Sequence, residues 1–468
     1  MAKRQRTDTP SWYKKLVDEI VSQGGFVHSS LQFSESSRVL TVTADKGLEK
    51  DSLVLKIPRR NLICIGNETD HQDPWLSDIQ EALDPSKLTF PLADVLTACL
   101  LTRHHRTYLE SLPHRSTWDA LPRRWGDDEV KKYLKGSPLL SRVMKSKEGV
   151  RGDYEQLCDV WKGDNKPSFD KFNDMLCAVT SRAFADESKG GIIVMVPILD
   201  LCNHARGMGE KKNLTFSFSE DGSVVVKTSQ NIKKDEGLRL TYGAQSNSQL
   251  LLNYGFTIPN NIEPDGSSND FLEFSCEGSD QNQIALRTGP KAYCYGGFVK
   301  ALEQTESRDS DDLIPEGDDD GDDMEAFLNE CDESEEVDIY GVIKEDGSEG
   351  NGEKDAIQEQ VDDLHKLREI LLKRMNEYDC KGTIMKEQLL LPKTSTGYYC
   401  ALLIQSEQRC LYFFYRATQK IESLLLEKEL SKSEEFDISN IDEDDVELIE
   451  QQTSELSDAY IKIRRDLF

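Results

Sequence analysis

The hydrophobic pattern of the chain is most informative between Gly190 and Phe256. The run Ile192–Leu199 is short, apolar and rich in β-branched residues, which predicts a buried strand. At Asp200 polar residues abruptly replace the aliphatic ones. Further on, alternating apolar residues flank the turn signal Asp221-Gly222 and predict a β-hairpin. The stretch therefore predicts a small sheet with a polar segment at the end of its first strand.

A second polar cluster follows the hairpin. Leu238, Leu240 and Tyr242 alternate with polar residues, so Tyr242 is predicted to leave its strand on the same face as the two leucines. Ser246 begins a segment that resembles a capping box and predicts a short helix closed by Gly255. Periodicity elsewhere predicts helices over Trp12–Gln23, Pro91–Arg103, Asp127–Leu134, Phe169–Phe184, Ile357–Tyr378 and Tyr398–Leu430, and strands over Val39–Val42 and Leu53–Ile57.

The acidic charge of the chain is concentrated in one segment. The formal net charge is -29 over 468 residues, and the segment Glu303–Asp355 alone contains 23 acidic and 3 basic residues. This composition predicts a disordered acidic insertion, and the remainder is only mildly acidic. Because nucleic-acid binding requires a basic face, the composition predicts no nucleic-acid partner.

The 11 cysteines form no CxxC pair and no close cluster, which predicts reduced thiols in an intracellular protein and no metal site. No apolar run approaches the roughly 20 residues of a membrane helix, so no membrane partner is predicted. The opening MAKRQRTDTP has a basic patch without an apolar core, so it is not a secretory signal, and it is read either as a solvated tail or as a nuclear signal. The expected location is the cytoplasm, the nucleus or both.

Several motifs occur in a fixed order along the chain. They are WYKKLVDEIVSQGGFV at the start, YLESLP followed by tryptophan and KGSPLL, SRAF, a strand ending in DLCNH, and then TYG, SN and YGF. Together they resemble the SET-domain protein methyltransferases, and specifically the branch typified by Rubisco large-subunit lysine methyltransferase. No zinc-binding cysteine cluster of the kind found beside many histone-directed SET domains is visible in the sequence.

The resemblance implies an α+β fold. It consists of a SET β-fold of small sheets with a pseudo-knot and a helical insertion, followed by an all-α C-terminal substrate-binding domain. The implied segments are 1–90 for the N-terminal helix and first part of the SET domain, 91–190 for the helical insertion, 191–265 for the part with the cofactor and catalytic motifs, and 266–468 for the helical domain, with the acidic insertion at about 303–355.

The same resemblance implies roles for individual residues. Tyr242 matches the catalytic tyrosine, whose hydroxyl orients the incoming amine and accepts weak CH···O contacts from the methyl group. The remaining site residues are implied to hold the cofactor, S-adenosylmethionine: Asn203 and His204 largely through backbone groups, Arg182 through the cofactor carboxylate, Glu35 through its amino group, Tyr254 by lining the channel or packing on the cofactor, and Asp200 by fixing the loop.

One motif departs from the family pattern. The family has a glycine-rich E-G-x-G-L turn near the cofactor, whereas this chain has Glu35-Ser36-Ser37-Arg38-Val39. Side chains therefore stand where backbone is expected to come close, which predicts either a different loop path or an altered cofactor affinity.

The implied function is methylation of a lysine on a non-histone protein by a monomer whose C-terminal helical domain binds the protein substrate. Two alternatives remain open. A branch of the family methylates histidine, and a SET fold that has lost activity can serve as an interaction protein.

Overall fold

The computed structural model describes residues 9–35, 37–64, 83, 85–101, 105–161, 166–186, 192–206, 211–264, 267–275, 283–288, 352–378, 388–392, 395–426 and 443–467. Most of the predicted acidic insertion, 303–351, lies outside the described residues. The chain forms two compact units: the first comprises Met1–Asp127, Ser141–Gln245 and Gln249–Phe256, and the second comprises Asp128–Leu140, Ser246–Ser248 and Thr257–Phe468.

The first unit combines small sheets with helices. Its antiparallel sheet has the strand order β1-β4-β10-β9, and further strands form the pairs β2-β3 and β8-β11 and the triplet β5-β7-β6. The strands are β1 Phe26–Val27, β2 Leu31–Ser34, β3 Val39–Val42, β4 Leu53–Ile57, β5 Ile63–Cys64, β6 Ala183–Asp186, β7 Ile192–Met195, β8 Asn203–His204, β9 Leu214–Phe218, β10 Val224–Thr228 and β11 Arg239–Leu240.

The predicted hairpin and the two predicted early strands are confirmed. Strands β9 and β10 pair in antiparallel register with Val224 opposite Phe218, and Gly222 in the turn has φ +74°. This left-handed conformation carries little penalty for glycine, which has no Cβ. Strands β3 and β4 have the predicted bounds, and their buried residues pack with helix α1 Ser11–Ser22 in one apolar core.

The strand predicted over Ile192–Leu199 is shorter than expected. Strand β7 ends at Met195, because Pro197 has no N–H for a sheet hydrogen bond and the chain turns there. Ile198 adopts a left-handed φ of +71°, and a 3-10 turn follows over Leu199–Leu201. A β-branched residue at positive φ is strained. The turn places Asp200 in the interior.

The helices of the central region form a separate apolar core with Ile63 and Met195. Where the sequence predicted helix through Phe184, the observed helix ends at Arg182, since the chain continues directly as strand β6. The helices are α2 Pro91–Leu101, α3 Arg106–Leu109, α4 Asp127–Tyr133, α5 Leu139–Val160 and α6 Phe169–Arg182, with the short α7 Asn247–Tyr254 further along the chain.

The second unit contains a β-hairpin and three long helices. The hairpin is formed by β12 Phe271–Ser275 and β13 Gln283–Arg287, a region whose sequence was mixed in character. The helices are α8 Gly352–Asn376, α9 Thr396–Leu425 and α10 Glu443–Leu467. Helices α8 and α9 start a few residues earlier than predicted, and α10 was not predicted.

Buried polar side chains join α9 to α10. Arg416 of α9 donates to Glu450 of α10 through Nε at 2.6 Å, and within α9 Gln419 donates to the Tyr415 hydroxyl at 3.2 Å. The Lys420 ammonium donates to the hydroxyls of Thr453 and Ser454, both at 2.8 Å. The YRxxQK element of the sequence therefore serves helix packing within this unit. Within the described residues, no helix is long and apolar enough to cross a membrane.

Candidate active site

The polar residues after β7 and β11 lie next to each other in the first unit. Strands β8 and β11 pair in parallel, with Asn203 opposite Arg239 and His204 opposite Leu240. The backbone N–H of Tyr242 donates to Nδ1 of His204 at 2.9 Å. Because Nδ1 accepts this hydrogen bond, the imidazole is in the neutral form with its proton on Nε2. Two segments almost forty residues apart thus meet at Tyr242.

Tyr242 does not continue strand β11 as predicted. The strand ends at Leu240, and Gly243 follows with φ +101°, so Tyr242 lies at the start of a turn. Its hydroxyl donates to the carbonyl of Cys202 at 2.8 Å. Burial is the main cause that raises the pKa of Tyr242; Arg182 opposes it and Asp200 adds to it. The hydroxyl therefore keeps its proton at neutral pH.

Aromatic rings surround Tyr242. The ring of Tyr254 stacks on it at a centroid distance of 4.8 Å and an interplanar angle of 27°, and the His204 ring lies 5.0 Å away. Phe256 lies 6.1 Å from the His204 ring. Tyr254 is held in place by the turn at Gly255, whose φ is +78° and where a Cβ would lie 2.9 Å from that of Ala120. Glycine is required there both by conformation and by space.

A buried ion pair lies beside this aromatic group. Arg182 donates to the backbone carbonyl of Asp200 at 2.7 Å and to its Oδ2 at 3.3 Å. The Tyr108 hydroxyl donates to the same Oδ2 at 2.9 Å. Burial raises the pKa of Asp200, while Arg182 and the hydrogen bond from Tyr108 oppose the rise. Arg182 is thus oriented by Asp200.

Three buried polar atoms in this region have no hydrogen-bond partner among the described residues. They are Nε of Arg182, Oδ1 of Asp200 and the hydroxyl of Tyr13. Buried polar groups in proteins are nearly always hydrogen-bonded, so an unsatisfied donor beside an unsatisfied acceptor indicates a site for a polar ligand. Among the described residues no group of three or more histidine, cysteine, aspartate or glutamate side chains could hold a metal ion.

Glu35 and Asn203 occupy more open positions than the other predicted site residues. The Glu35 side chain is 56% exposed and lies 4.0 Å from Arg38, and it accepts a hydrogen bond from Trp12 Nε1 at 3.3 Å. Asn203 is exposed on β8, beside the half-buried His204. The structure therefore brings Tyr242, Tyr254, His204 and the Arg182–Asp200 pair together, with Asn203 and Glu35 at the edge.

The sequence reasoning missed Tyr108, Tyr13 and Arg38. Tyr108 and Tyr13 belong to the YLESLP and WYKKL motifs, so their signal was present as polar side chains in recurrent motifs. Arg38 was noticed only as a departure from a glycine. The pKa of Arg38 is lowered, first by burial and then by the charge of Arg182, while the charges of Glu35 and Asp200 oppose the fall. Arg38 thus belongs to the same electrostatic site.

Two cavities lie away from this cluster. One of about 290 Å³ is in the second unit around Asp270, and one of about 430 Å³ is in the first unit around Arg123. Neither is lined by Tyr242, His204 or Asp200. Unsatisfied buried atoms also occur at Arg123, beside the second cavity, and at Asp94 and Asp153. The candidate site is therefore identified by the aromatic rings around Tyr242 together with the adjacent Arg182–Asp200 pair.

Several curated protein methyltransferases are similar to this chain. No family model matches the sequence. The chain is 25% identical over 250 residues to N-lysine methyltransferase setd6 of Danio rerio, covering 47% of this chain and 51% of that protein. It is 25% identical over 296 residues to ribosomal lysine N-methyltransferase set11 of Schizosaccharomyces pombe, covering 58% and 67%. It is 24% identical over 247 residues to the actin-histidine N-methyltransferase of Rhinolophus ferrumequinum, covering 49% and 39%.

Solved structures match over nearly the whole chain. The SET domain of LSMT bound to lysine and AdoHcy gives a TM-score of 0.61 at 17% identity, covering 94% of this chain and 99% of that one. Rubisco LSMT bound to AdoMet gives 0.59 at 17% identity, covering 90% and 95%. At this identity the likeness defines the fold.

The chain therefore has the SET fold, with small sheets, a helical insertion and a helical C-terminal region. Its fold and its curated relatives confirm the resemblance to the Rubisco LSMT-like branch that the motifs indicated. The chain spans about half the length of the setd6 relative.

Proposed function

We propose that this chain transfers a methyl group from S-adenosylmethionine to a lysine side chain of a protein other than a histone. The names of the setd6 and set11 relatives support this reaction class. The observation that carries the proposal is the convergence of Tyr242, His204 and the Arg182–Asp200 pair beside unsatisfied buried atoms. The acceptor amine and the cofactor are assigned to this one region.

Tyr242 fits the position that faces the acceptor amine. Its hydroxyl keeps its proton, since burial raises its pKa, and donates that proton to the Cys202 carbonyl, so its oxygen accepts an N–H of the amine rather than acting as a base. The aromatic rings around it exclude water and favour the uncharged form of a lysine amine, which is the nucleophilic form. We infer that Tyr242 orients an amine that has released its proton to solvent, and that positioning supplies much of the rate.

The buried atoms around Asp200 fit the amino-acid end of S-adenosylmethionine, which carries a carboxylate and an ammonium group. Arg182 offers a donor and Asp200 an acceptor that lack partners among the described residues. When bound, the cofactor supplies an electrophilic methyl group on a sulfonium sulfur. We assign the carboxylate to Arg182, the ammonium to Asp200 with Glu35 at the edge, and the remainder of the cofactor to Asn203, His204 and Tyr254.

Replacing Tyr242 with phenylalanine tests the assignment. Tyr242→Phe is expected to reduce methyl transfer by about 100-fold or more, because the oxygen that orients the amine for in-line attack is removed. The loss of one hydrogen bond to the Cys202 carbonyl is expected to lower stability by only about 1 kcal/mol. Transfer is measured with methyl-labelled S-adenosylmethionine and a protein extract from the organism that produces the chain.

Tyr154→Phe is the matched control. The Tyr154 hydroxyl also donates to a backbone carbonyl, that of Pro167 at 2.9 Å, but it lies in the helical insertion. Tyr154→Phe should therefore retain transfer at a similar stability cost. If Tyr242→Phe retains as much transfer as Tyr154→Phe, the catalytic assignment is wrong.

Histidine methylation is a second candidate, since a relative of similar identity is an actin-histidine N-methyltransferase. Hydrolysing the labelled acceptor proteins to amino acids separates the two reactions. Labelled methyllysine supports the first proposal, and labelled methylhistidine in its place supports the second. Absence of labelled product together with absence of S-adenosylhomocysteine binding in calorimetry would favour a non-catalytic interaction protein.

The predicted segments 1–90, 91–190, 191–265 and 266–468 are retained as the proposed domain division. We also propose that the helical region binds the protein substrate. The similar structure of the LSMT SET domain contains bound lysine, which supports a lysine-bearing substrate. Because the YRxxQK side chains bond within their own unit, this part of the proposal rests on the likeness in fold.

A further inference from the structure

Arg38 occupies a constrained position in the hairpin β2-β3. Ser34 pairs with Val39, so the strands are joined by a four-residue loop that ends at Arg38. Arg38 has φ +51°, the left-handed conformation. This conformation is unfavourable for residues with a Cβ and is readily adopted by glycine. Glycine is the residue that the E-G-x-G-L motif of the SET methyltransferases has at this position. An arginine there requires compensating contacts.

The Arg38 guanidinium contacts the segment that carries Tyr108, and the charges of Arg182 and Asp200 both act on its pKa. Its NH2 donates to the Ser111 carbonyl at 3.4 Å, and its central carbon lies 5.5 Å from the centroid of the Phe33 ring. The Ser111 hydroxyl in turn donates to the carbonyl of Tyr108, whose own hydroxyl donates to Asp200. A continuous set of contacts thus leads from Arg38 to the buried carboxylate.

The site contains two guanidinium groups for one buried carboxylate. Arg182 and Arg38 are 14% and 29% exposed, whereas the Asp200 side chain is fully buried. Glu35 also acts on Arg38, but it lies 4.0 Å away with most of its side chain in solvent. Such an ion pair is weak because water screens it. The inner part of the site therefore has an excess positive charge.

An excess of guanidinium groups favours a carboxylate ligand, because the planar donors match its two oxygens. We propose that Arg38 binds the carboxylate of the amino-acid part of S-adenosylmethionine together with Arg182, so that a side chain supplies a contact at the position of the motif glycine. This inference rests on the proposed function. The alternative is that the arginine at the position of the motif glycine fills the space of the cofactor and weakens its binding.

Calorimetry with two ligands separates these effects. S-adenosylhomocysteine carries the amino-acid part, whereas 5′-methylthioadenosine has the same adenosine and thioether without it. Arg38→Gly suits the left-handed backbone and is expected to fold, which thermal melting checks. The variant should weaken S-adenosylhomocysteine binding by about tenfold or more, as for the loss of a charged hydrogen bond, and change 5′-methylthioadenosine binding less than about threefold.

Two further variants sharpen the result. Arg38→Lys retains the charge without the planar fork and should weaken S-adenosylhomocysteine binding less than Arg38→Gly does. Arg106→Ala is the control, since the Arg106 side chain is 90% exposed and lies 3.8 Å from Glu110. It should bind both ligands as the unmodified chain does.

The outcomes distinguish this inference from the proposed function. If Arg38→Gly binds S-adenosylhomocysteine as well as or more tightly than the unmodified chain, the carboxylate role is wrong while the proposed function stands. If Arg38→Gly weakens the binding of both ligands equally, the carboxylate role is also wrong, because the substitution then acts through the conformation of the β2-β3 loop. If the unmodified chain binds neither ligand, both the inference and the proposed function are overturned.

Discussion

Two buried aspartates show how the two units differ. In the second unit, Asp270 accepts from the Asn247 backbone at 2.6 Å, from the Asn247 amide at 2.9 Å and from Asn261 at 3.1 Å. In the first unit, Asp200 uses Oδ2 for Tyr108 and Arg182, while its Oδ1 has no partner among the described residues. Burial raises the pKa of both carboxyl groups.

The difference separates structural burial from functional burial. A buried charge that is fully hydrogen-bonded fixes the surrounding chain, and removing one partner leaves several groups unsatisfied. A buried carboxylate with an unused oxygen contributes less to the free energy of unfolding than a fully hydrogen-bonded one, and the unused oxygen can accept a hydrogen bond from a ligand. Asp270 thus fixes the chain around it, whereas Asp200 keeps an oxygen that is available to a ligand.

The largest expected effect comes from the isosteric change Asp270→Asn. Its amide N–H₂ would face the donor groups that now point at the carboxylate, so we expect the free energy of unfolding to fall by about 3 kcal/mol. Asp200→Asn can place its N–H₂ at the unused Oδ1 position and keep an oxygen for Tyr108 and Arg182, so it loses only the charge opposite Arg182 and should lower the free energy of unfolding by about 1 to 2 kcal/mol. Urea denaturation of both variants measures the difference.

Asp200→Asn should affect ligand binding more than Asp270→Asn does, which is the reverse of their order in stability. Asp200→Asn is expected to weaken S-adenosylhomocysteine binding by about fivefold or more, since a charged contact becomes neutral, and Asp270→Asn should leave it unchanged. Equal stability losses for the two variants would contradict the distinction between the units.

A smaller and pH-dependent effect is expected at Glu407 of the second unit. Ser137 and Tyr378 donate to this buried carboxylate at 2.8 and 3.0 Å. Burial raises its pKa from 4.5 to about 7, although both hydrogen bonds oppose the rise. The folded state therefore holds the proton more tightly than the unfolded chain, so stability is lost as the pH rises from about 4.5 to about 7.

Glu407→Gln imitates the protonated form and should remove this loss. A tenfold difference in proton affinity corresponds to about 1.4 kcal/mol, so the effect is at most on the order of 3 kcal/mol. We expect the variant to gain stability relative to the unmodified chain at pH 8 but not at pH 4.5, as measured by urea denaturation. An unchanged pH dependence would show that Glu407 does not titrate in this range.

Glu422 on the same helix provides a control of opposite sign. Burial raises its pKa, but the hydrogen bonds from His365 and Arg368 outweigh burial and lower it. Its contribution to stability is therefore present above the unfolded pKa and lost as the pH falls through the folded one. Glu422→Gln should accordingly reduce stability at pH 8, where Glu407→Gln increases it.

The smallest expected effects concern helix ends, where the two units should not differ. The hydroxyls of Ser168 and Ser395 accept from the backbone N–H of Lys171 and Tyr398, each at 3.3 Å, and cap α6 and α9. Replacing either serine with alanine should lower the free energy of unfolding by about 1 kcal/mol.

Ser22→Ala is the control for the cap variants, because the Ser22 hydroxyl donates to the Glu19 carbonyl near the end of α1 and satisfies no N-terminal donor. It should change stability by less than about 0.5 kcal/mol. A marked difference between Ser168→Ala and Ser395→Ala in denaturation would show that the contrast between the units extends beyond buried polar groups.

Prediction from the sequence succeeded where local pattern and recurrent motifs agreed. The hairpin around Gly222 and the strands Val39–Val42 and Leu53–Ile57 follow from alternation of apolar residues and turn chemistry. It failed for α10, because few apolar residues stand among the acidic ones there and the helical spacing of Ile449, Thr453 and Leu456, which are all buried, is a weak signal in the sequence. It also extended β7 past Pro197, where the sheet ladder ends.

The sequence by itself determined the fold branch and proposed most of the residues assigned to the site, though not Tyr108, Tyr13 or Arg38, since ordered motifs and periodicity are properties of the chain. Only the tertiary structure decided which of them meet. The parallel pairing of β8 with β11 joins His204 to Tyr242, and the turn at Ile198 buries Asp200 against Arg182 and Tyr108. These contacts join segments distant in sequence, so hydrogen bonding and burial, which no local pattern encodes, selected them.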